Sequence, residues 1–273
     1  MAEQKHILRF ENVSLAFDST KALDDVSFAV TPGETRVILG AASSGKTTLL
    51  KAAIGLVRPD SGRIFLFGED VTQMKERDLF ALRRRAGILF QEGGLFDSLT
   101  IEENVAYPLV NAGTRPPANE VEEKVKDALT FVELEHTLDK FPSELSGGMR
   151  RRVGIARAVV TEPPLVLYDS PTAGLDPITA NLIIALVIKE RDLRNTAAIM
   201  VTHRYQDGHL AANFRYNPHS GKLEPVSRNG AGEDRALRKT IFMVMNEGRL
   251  VFEGTERELH ASGDPYVSKF VKR

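Results

Sequence analysis

Cysteine is absent from the 273 residues. That excludes disulfides, thiolate zinc sites and a cysteine nucleophile, and it fits a reducing compartment. An excess of one charge is lacking too, since 36 Lys and Arg against 37 Asp and Glu leave a formal net charge of −1. The whole surface therefore gives no reason to attract nucleic acid or acidic lipid, and no nucleic-acid partner is expected. Long apolar runs are also missing. Stretches such as Leu182 to Ile188 fall far short of a membrane span, and Met1 to Leu8 carries no apolar run of signal-peptide length. The expectation is a chain that stays in water; if it serves membrane transport, the channel or carrier is another polypeptide. No repeat or low-complexity tract is apparent. With 42% hydrophobic residues, this length suits one large α/β domain, with or without an inserted lobe.

What is present is a phosphate-cradle motif, Gly40-Ala41-Ala42-Ser43-Ser44-Gly45-Lys46-Thr47, followed by Thr48. In the pattern GxxxxGK[ST], glycine lets the backbone curl, successive N–H groups point inward, and the following helix adds its positive end. Lys46 is expected to hold the β and γ phosphates and Thr47 to offer its hydroxyl to Mg²⁺. The setting is right: Arg36 to Leu39 reads as a buried strand entering the loop, and Thr47 to Leu56 as the helix leaving it.

About a hundred residues on, Leu145-Ser146-Gly147-Gly148-Met149 opens a helical stretch to Val160. Ser146 is expected to cap it, and bare glycines at 147 and 148 let an anion approach the helix start. Alone, this is an ordinary loop-to-helix start. With the cradle upstream and Pro164-Leu-Val-Leu-Tyr-Asp169 downstream, it resembles the signature of ATP-binding cassette (ABC) ATPases.

Several further residues follow from that resemblance. Asp169, ending an apolar strand where a lone carboxylate is costly, is implied as the Walker B ligand of Mg²⁺; a turn or cap role is the alternative. Gln91 takes the Q-loop position, touching Mg²⁺ or the attacking water and meeting the membrane subunit, or else is a polar strand cap. His203 is implied as the switch histidine facing the γ-phosphate. Asp176 resembles the D-loop aspartate, and N-capping before Pro177 is compatible with that role. Phe17 is implied as the ring against adenine, although an ordinary core phenylalanine is the other reading. Ser170 departs from the family, which usually carries glutamate there to orient or activate water. A serine hydroxyl is no usable base near neutral pH, so slow hydrolysis and a persistent ATP-bound dimer are expected.

The implied fold is α/β: a P-loop (RecA-like) ABC ATPase core with an antiparallel β subdomain and an inserted helical subdomain. Residues 1–91 and 161–273 form the core with the β subdomain, 92–160 the helical signature subdomain, and 204–238, lacking a sustained period, a surface insertion. Strands are read at 7–17, 24–30, 64–67, 86–90, 165–168, 197–201 and 240–244, and a helix at 178–193. The implied assembly is a head-to-tail homodimer, in which Ser146, Gly147 and Gly148 of one copy complete the ATP site of the other. It would sit peripherally on the cytoplasmic face of the inner membrane, on transmembrane permease subunits.

Leu89 to Leu109, Met149 and the ending Asp264-Pro-Tyr-Val-Ser-Lys-Phe270 resemble ATPases of Mla/Mce-type lipid transporters. A Mce-type substrate-binding protein and a small regulatory subunit are then further partners. An importer ATPase for amino acids or other small solutes, and an ATP-binding regulatory module with little hydrolysis, are the alternatives.

Overall fold

The computed structural model describes residues 6–91, 93–111, 116–226 and 240–271. Its centre is a six-stranded sheet in the order β12-β11-β3-β8-β7-β6. The strands are β3 (Thr35–Gly40), β6 (Ala86–Leu89), β7 (Leu165–Asp169), β8 (Ala197–Thr202), β11 (Thr240–Asn246) and β12 (Arg249–Gly254). All neighbours run parallel except β11 and β12. β3, β7 and β8 are buried along their whole length because both faces are covered there, whereas the edge strand β12 is not.

Alternate residues feed two separate cores. Val37, Leu39, Val166, Tyr168, Met200 and Val244 face one. Ile38, Leu167, Ile199, Val201 and Met243 face the other. The second core is closed by helix α1 (Lys46–Ala53) and by a four-stranded antiparallel sheet, β2-β1-β4-β5. Its strands are β1 (Leu8–Phe17), β2 (Thr20–Val30), β4 (Ser61–Leu66) and β5 (Glu69–Asp70), with helix α2 (Glu76–Arg83) following.

The first core is closed by helices α3 (Ile101–Val110), α4 (Ala118–Phe131), α5 (Gly147–Val159) and α6 (Pro177–Arg194). Ile101, Val105, Leu129 and Val153 join Tyr168 and Met200 in one continuous cluster, so the helical part shares the sheet's core rather than building its own. Thr100 caps α3 through a reciprocal pair with Glu103, which fixes where the helical part starts.

The surface insertion expected over 204–238 needs correction. Helix α7 (Tyr205–Asn213) packs on the sheet, burying Asp207, Gly208, Ala211 and Ala212. A Cβ on Gly208 would lie 2.4 Å from Phe242 Cε1 and 2.9 Å from Val37 Cγ1. The buried face is built from small and acidic residues, which is why no apolar period marks it. A hairpin follows, β9 (Phe214–Asn217) with β10 (Lys222–Pro225). It is tied to α6 by Tyr216 N donating to Asp192 Oδ2 at 2.8 Å and by Arg191 Nη2 donating to the Phe214 carbonyl at 3.1 Å. The remainder of the expected insertion, 227–239, lies outside the described residues. Two short helices, α8 (Glu256–His260) and α9 (Pro265–Ser268), end the described chain.

Candidate functional site

Parallel pairing brings the C-terminal ends of β3, β6, β7 and β8 to one edge: Leu39 lies beside Thr202, Asp169 beside Val201, and Leu89 beside Tyr168. Gly40 ends β3, and the loop after it returns into α1 through Gly45, whose φ of 101° is open to glycine but costly for other residues. A Cβ there would lie 2.2 Å from the Ala22 carbonyl oxygen, and one on Gly40 would lie 2.6 Å from that of Met245. Backbone from β2 and β11 thus crowds the loop from behind, leaving its other side to a ligand.

Lys46 is buried, and its Nζ donates to the carbonyls of Gly40 at 3.0 Å and Ala41 at 2.6 Å and to Ser44 Oγ at 3.2 Å. Burial pushes its ammonium down to about 8, with the Asp169 carboxylate opposing that shift. Among the described residues the hydrogen-bond partners of Lys46 are neutral oxygens. His203 follows β8, and its Nδ1 lies 3.0 Å from the same Gly40 carbonyl. Thr47 and Asp169 line one small hollow of about 20 Å³.

The turn after β7 is held from three sides. Ser170 has a φ of 50°, its N–H donates to the Val201 carbonyl at 2.9 Å, and its hydroxyl donates to Asp169 Oδ1 at 3.2 Å. Arg151, buried in α5, places Nη1 at 2.9 Å from the Pro171 carbonyl and 2.8 Å from that of Ala173. Asp207 of α7 accepts on Oδ2 from Thr172 Oγ1 at 2.5 Å and Thr202 Oγ1 at 2.6 Å, so it ties the turn to the strand that carries His203. Burial pushes the Asp207 carboxyl up, against the pull of those two hydroxyls. Neither Arg151 nor Asp207 is evident from sequence. Arg151 is one of three consecutive arginines, and Asp207 sits in the segment read as surface; the one available signal was Thr202, a hydroxyl at a buried strand end.

Ser146 caps α5 by accepting from Met149 N at 3.2 Å. A Cβ on Gly147 would meet only Arg150 Nη2, at 3.9 Å, whereas one on Gly148 would lie 2.7 Å from Thr179 Cγ2. Asp176 caps α6, accepting from the N–H groups of Ile178 and Thr179 at 3.0 Å each. Hydrogen bonds from Thr179 and the helix backbone hold its carboxyl below the usual range. Among the described residues, no hydrogen bond joins Ser146, Gly147 or Gly148 to the 40–47 loop. Gln91 is exposed and lines a groove of about 570 Å³ with Gly147, Arg151 and Gly174, apart from the Thr47–Asp169 hollow. Phe17 is 52% exposed at the β1–β2 turn, which removes the core reading and leaves the ring free.

Residues 23–173 match the ABC transporter family. The chain belongs to that family. Over 201 residues it is 39% identical to a methionine import ATP-binding protein, MetN 1, of Bacillus thuringiensis subsp. konkukian, covering 72% of this chain and 59% of that protein. It is 35% identical over 196 residues to a probable ribonucleotide transport ATP-binding protein, mkl, of Mycobacterium bovis, covering 72% and 54%. The chain therefore spans just over half the length of these curated relatives. Among solved ABC structures, cbiO1 from Clostridium perfringens, part of the cbiONQ transporter complex, superposes with a TM-score of 0.77 at 28% identity, covering 98% of this chain and 93% of that one. A dimeric ATP-binding cassette in a post-hydrolysis state with ADP and Pi gives 0.75 at 25% identity, covering 91% and 98%. The fold is the ABC ATPase cassette fold. Neither relative's name is that of a lipid transporter. Among the described residues no helix is long and apolar enough to cross a membrane.

Proposed function

We propose that this chain is the ATP-binding and ATP-hydrolysing subunit of a membrane ABC transporter, acting as a homodimer on transmembrane permease subunits. The observation that carries this is the Gly40 carbonyl, which Lys46 and His203 both contact, with the charge of Asp169 acting on the same lysine. Residues 40–48 cradle the phosphates, and Lys46 exchanges its loop carbonyls for phosphate oxygens. Thr47 and Asp169, which line one hollow, would offer oxygens to Mg²⁺, and Gln91 would reach it from the separate groove it lines. Mg²⁺, when bound, supplies charge neutralisation between the phosphates.

Phe17 offers a stacking face to the base. Ser146, Gly147 and Gly148, together with Asp176, serve the opposite copy's nucleotide. In support of that, among the described residues Ser146, Gly147 and Gly148 make no hydrogen bond to their own 40–47 loop, and an added side chain has more room at Gly147 than at Gly148. Nucleotide closure of the two copies, then hydrolysis and reopening, would move the membrane partners.

For cargo we favour lipid of the Mla/Mce type, with a Mce-type binding protein and a small regulatory subunit as further partners, at the cytoplasmic face of the inner membrane. The support is the Leu89–Leu109 segment and the Asp264–Phe270 ending. The methionine importer named above supplies the rival cargo. A second reading, a cassette that binds ATP but turns it over slowly, is favoured by Ser170, whose hydroxyl is already engaged with Asp169.

The test is co-purification of the tagged chain with its membrane subunits, followed by Mg²⁺-dependent phosphate release in vesicles. We expect a permease with a Mce-domain protein, and release that responds to phospholipid. A methionine response with a periplasmic solute-binding protein would overturn the lipid reading. Release that needs no Lys46 would overturn the ATPase site.

A further inference from the structure

We infer that Tyr266 in α9, 220 residues beyond Lys46, is a positioning residue for the nucleotide loop: it holds the Ala41 peptide in place when Lys46 leaves it for phosphate. The inference rests on the reading of residues 40–48 as the phosphate cradle.

The Ala41 N–H donates to Tyr266 Oη at 3.3 Å, and that hydroxyl donates onward to the Met245 carbonyl at 3.2 Å. A phenol has one proton to give and lone pairs to receive, and both functions are used here. Met245 and Gly40 are partners in register on β11 and β3, so one hydroxyl bridges the start of the loop to the strand beside it. The carbonyl of the same residue 41 is held from the other side, by Lys46 Nζ at 2.6 Å. Ala41 is therefore gripped twice, once by a residue that must move to bind phosphate and once by a residue that need not.

The phenol is itself held in place. Asp264 caps α9 by accepting from Tyr266 N at 2.7 Å and Val267 N at 3.1 Å; Val267 is fully buried, and Phe270 meets the tyrosine ring edge-on with centroids 5.2 Å apart. The same end of the chain touches the loop elsewhere. Gly248 N donates to the Ser44 carbonyl at 3.2 Å, and Met245 Cε lies 3.1 Å from where a Cβ on Gly45 would be. The loop's back is thus set by Ala22 of β2 together with residues from 245 onward. Once Lys46 has turned to phosphate, Tyr266 still holds the Ala41 N–H while His203 faces the Gly40 carbonyl of the same peptide, so the tyrosine's bond should count for more with nucleotide than without.

A fluorescent ATP analogue titrated onto the full chain and onto Tyr266→Phe, Ala41→Pro and the double variant tests this. Phenylalanine keeps the ring against Phe270 and removes only the hydroxyl; proline at 41 removes the N–H that the hydroxyl accepts, and also fixes φ at 41 and restricts Gly40. We expect Tyr266→Phe to weaken binding about three- to tenfold, the worth of one neutral hydrogen bond. In the Ala41→Pro background it should change binding less than twofold. Hydrogen exchange supplies a readout that does not depend on proline being accepted: the Ala41 amide should exchange faster in Tyr266→Phe, and the contrast should widen with nucleotide bound. Unchanged affinity in Tyr266→Phe, an equal loss in both backgrounds, or unchanged exchange at Ala41 would overturn the inference. Lys46→Ala separates the two levels: if it weakens binding and Tyr266→Phe does not, the cradle stands and the inference falls. If neither does, the reading of the loop falls first.

Discussion

The loop of residues 40–47 and the turn of residues 169–173 follow β3 and β7, which flank β8 in the same sheet, yet they are furnished differently. The loop carries what phosphate binding needs: crowded glycines, a buried ammonium and a helix start. The turn carries Asp169 in place and a rigid backbone, but at 170 it offers a hydroxyl already donated to Asp169 rather than a carboxylate. The two regions meet at Asp169 and His203 but are held by different side chains. Nucleotide binding and nucleotide turnover should therefore respond to different residues.

The largest effect is expected at the signature. Gly147→Asp should abolish ATP-dependent dimerisation while leaving single-copy nucleotide binding intact, as read by analytical ultracentrifugation and titration. Gly147 is the better position than Gly148, because a side chain at 148 would first strike Thr179 of its own chain. Lys46→Ala comes next. Loss of charge-assisted bonds worth about 1.5–3 kcal/mol should weaken nucleotide binding by about 10- to 100-fold in a fluorescent ATP titration.

Asp207→Ala should act on the framework rather than on binding. It leaves the Thr172 and Thr202 hydroxyls without their acceptor, at a cost of about 1–3 kcal/mol in denaturant unfolding. It should also reduce turnover by freeing the strand end that carries His203. Equal stability in Asp207→Ala and parent would show that Arg151 and the Ser170 N–H hold the turn without Asp207.

The smallest effect is that of pH. Lys46 titrates near 8 when buried, against 10.5 for an ordinary lysine. Between these values the unfolded chain holds a proton that the folded chain has lost, so the burial penalty is full below pH 8 and is relieved as pH rises toward 10.5. Phosphate favours the protonated form, so nucleotide binding should take up a proton and weaken above about pH 8, by no more than about tenfold per pH unit. A flat affinity from pH 7 to 9.5 would contradict this.

The sequence makes the loop side of this comparison far more legible than the turn side. The cradle motif, the buried strand before it and the helix after it have strong local signals, and β3, β7 and β8 lie within a residue or two of their expected places. The Asp169–Ser170 substitution was also readable as a departure. What held the turn was not. Arg151 looks like Arg150 and Arg152 until the fold buries it, and Asp207 lies on a helix whose inward face is Asp, Gly, Ala and Ala. Such a face packs closely because it is small, and small residues carry no hydrophobic period. Phe17 shows the same limit: only its exposure separates a free ring from a core one.

Turnover after a change at position 170 tests the separation most directly. The turn's backbone is fixed by Arg151, by Asp207 through Thr172, and by the Ser170 N–H on Val201, none of which uses the Ser170 side chain. Ser170→Glu should then change the chemistry and spare the architecture. Steady-state phosphate release, measured with the membrane partners present, should be slow in the parent and rise at least about tenfold in Ser170→Glu, within the range of general-base assistance, while ATP affinity stays within about twofold. Comparable fast release from both chains would show that turnover does not run through position 170, and would contradict the account.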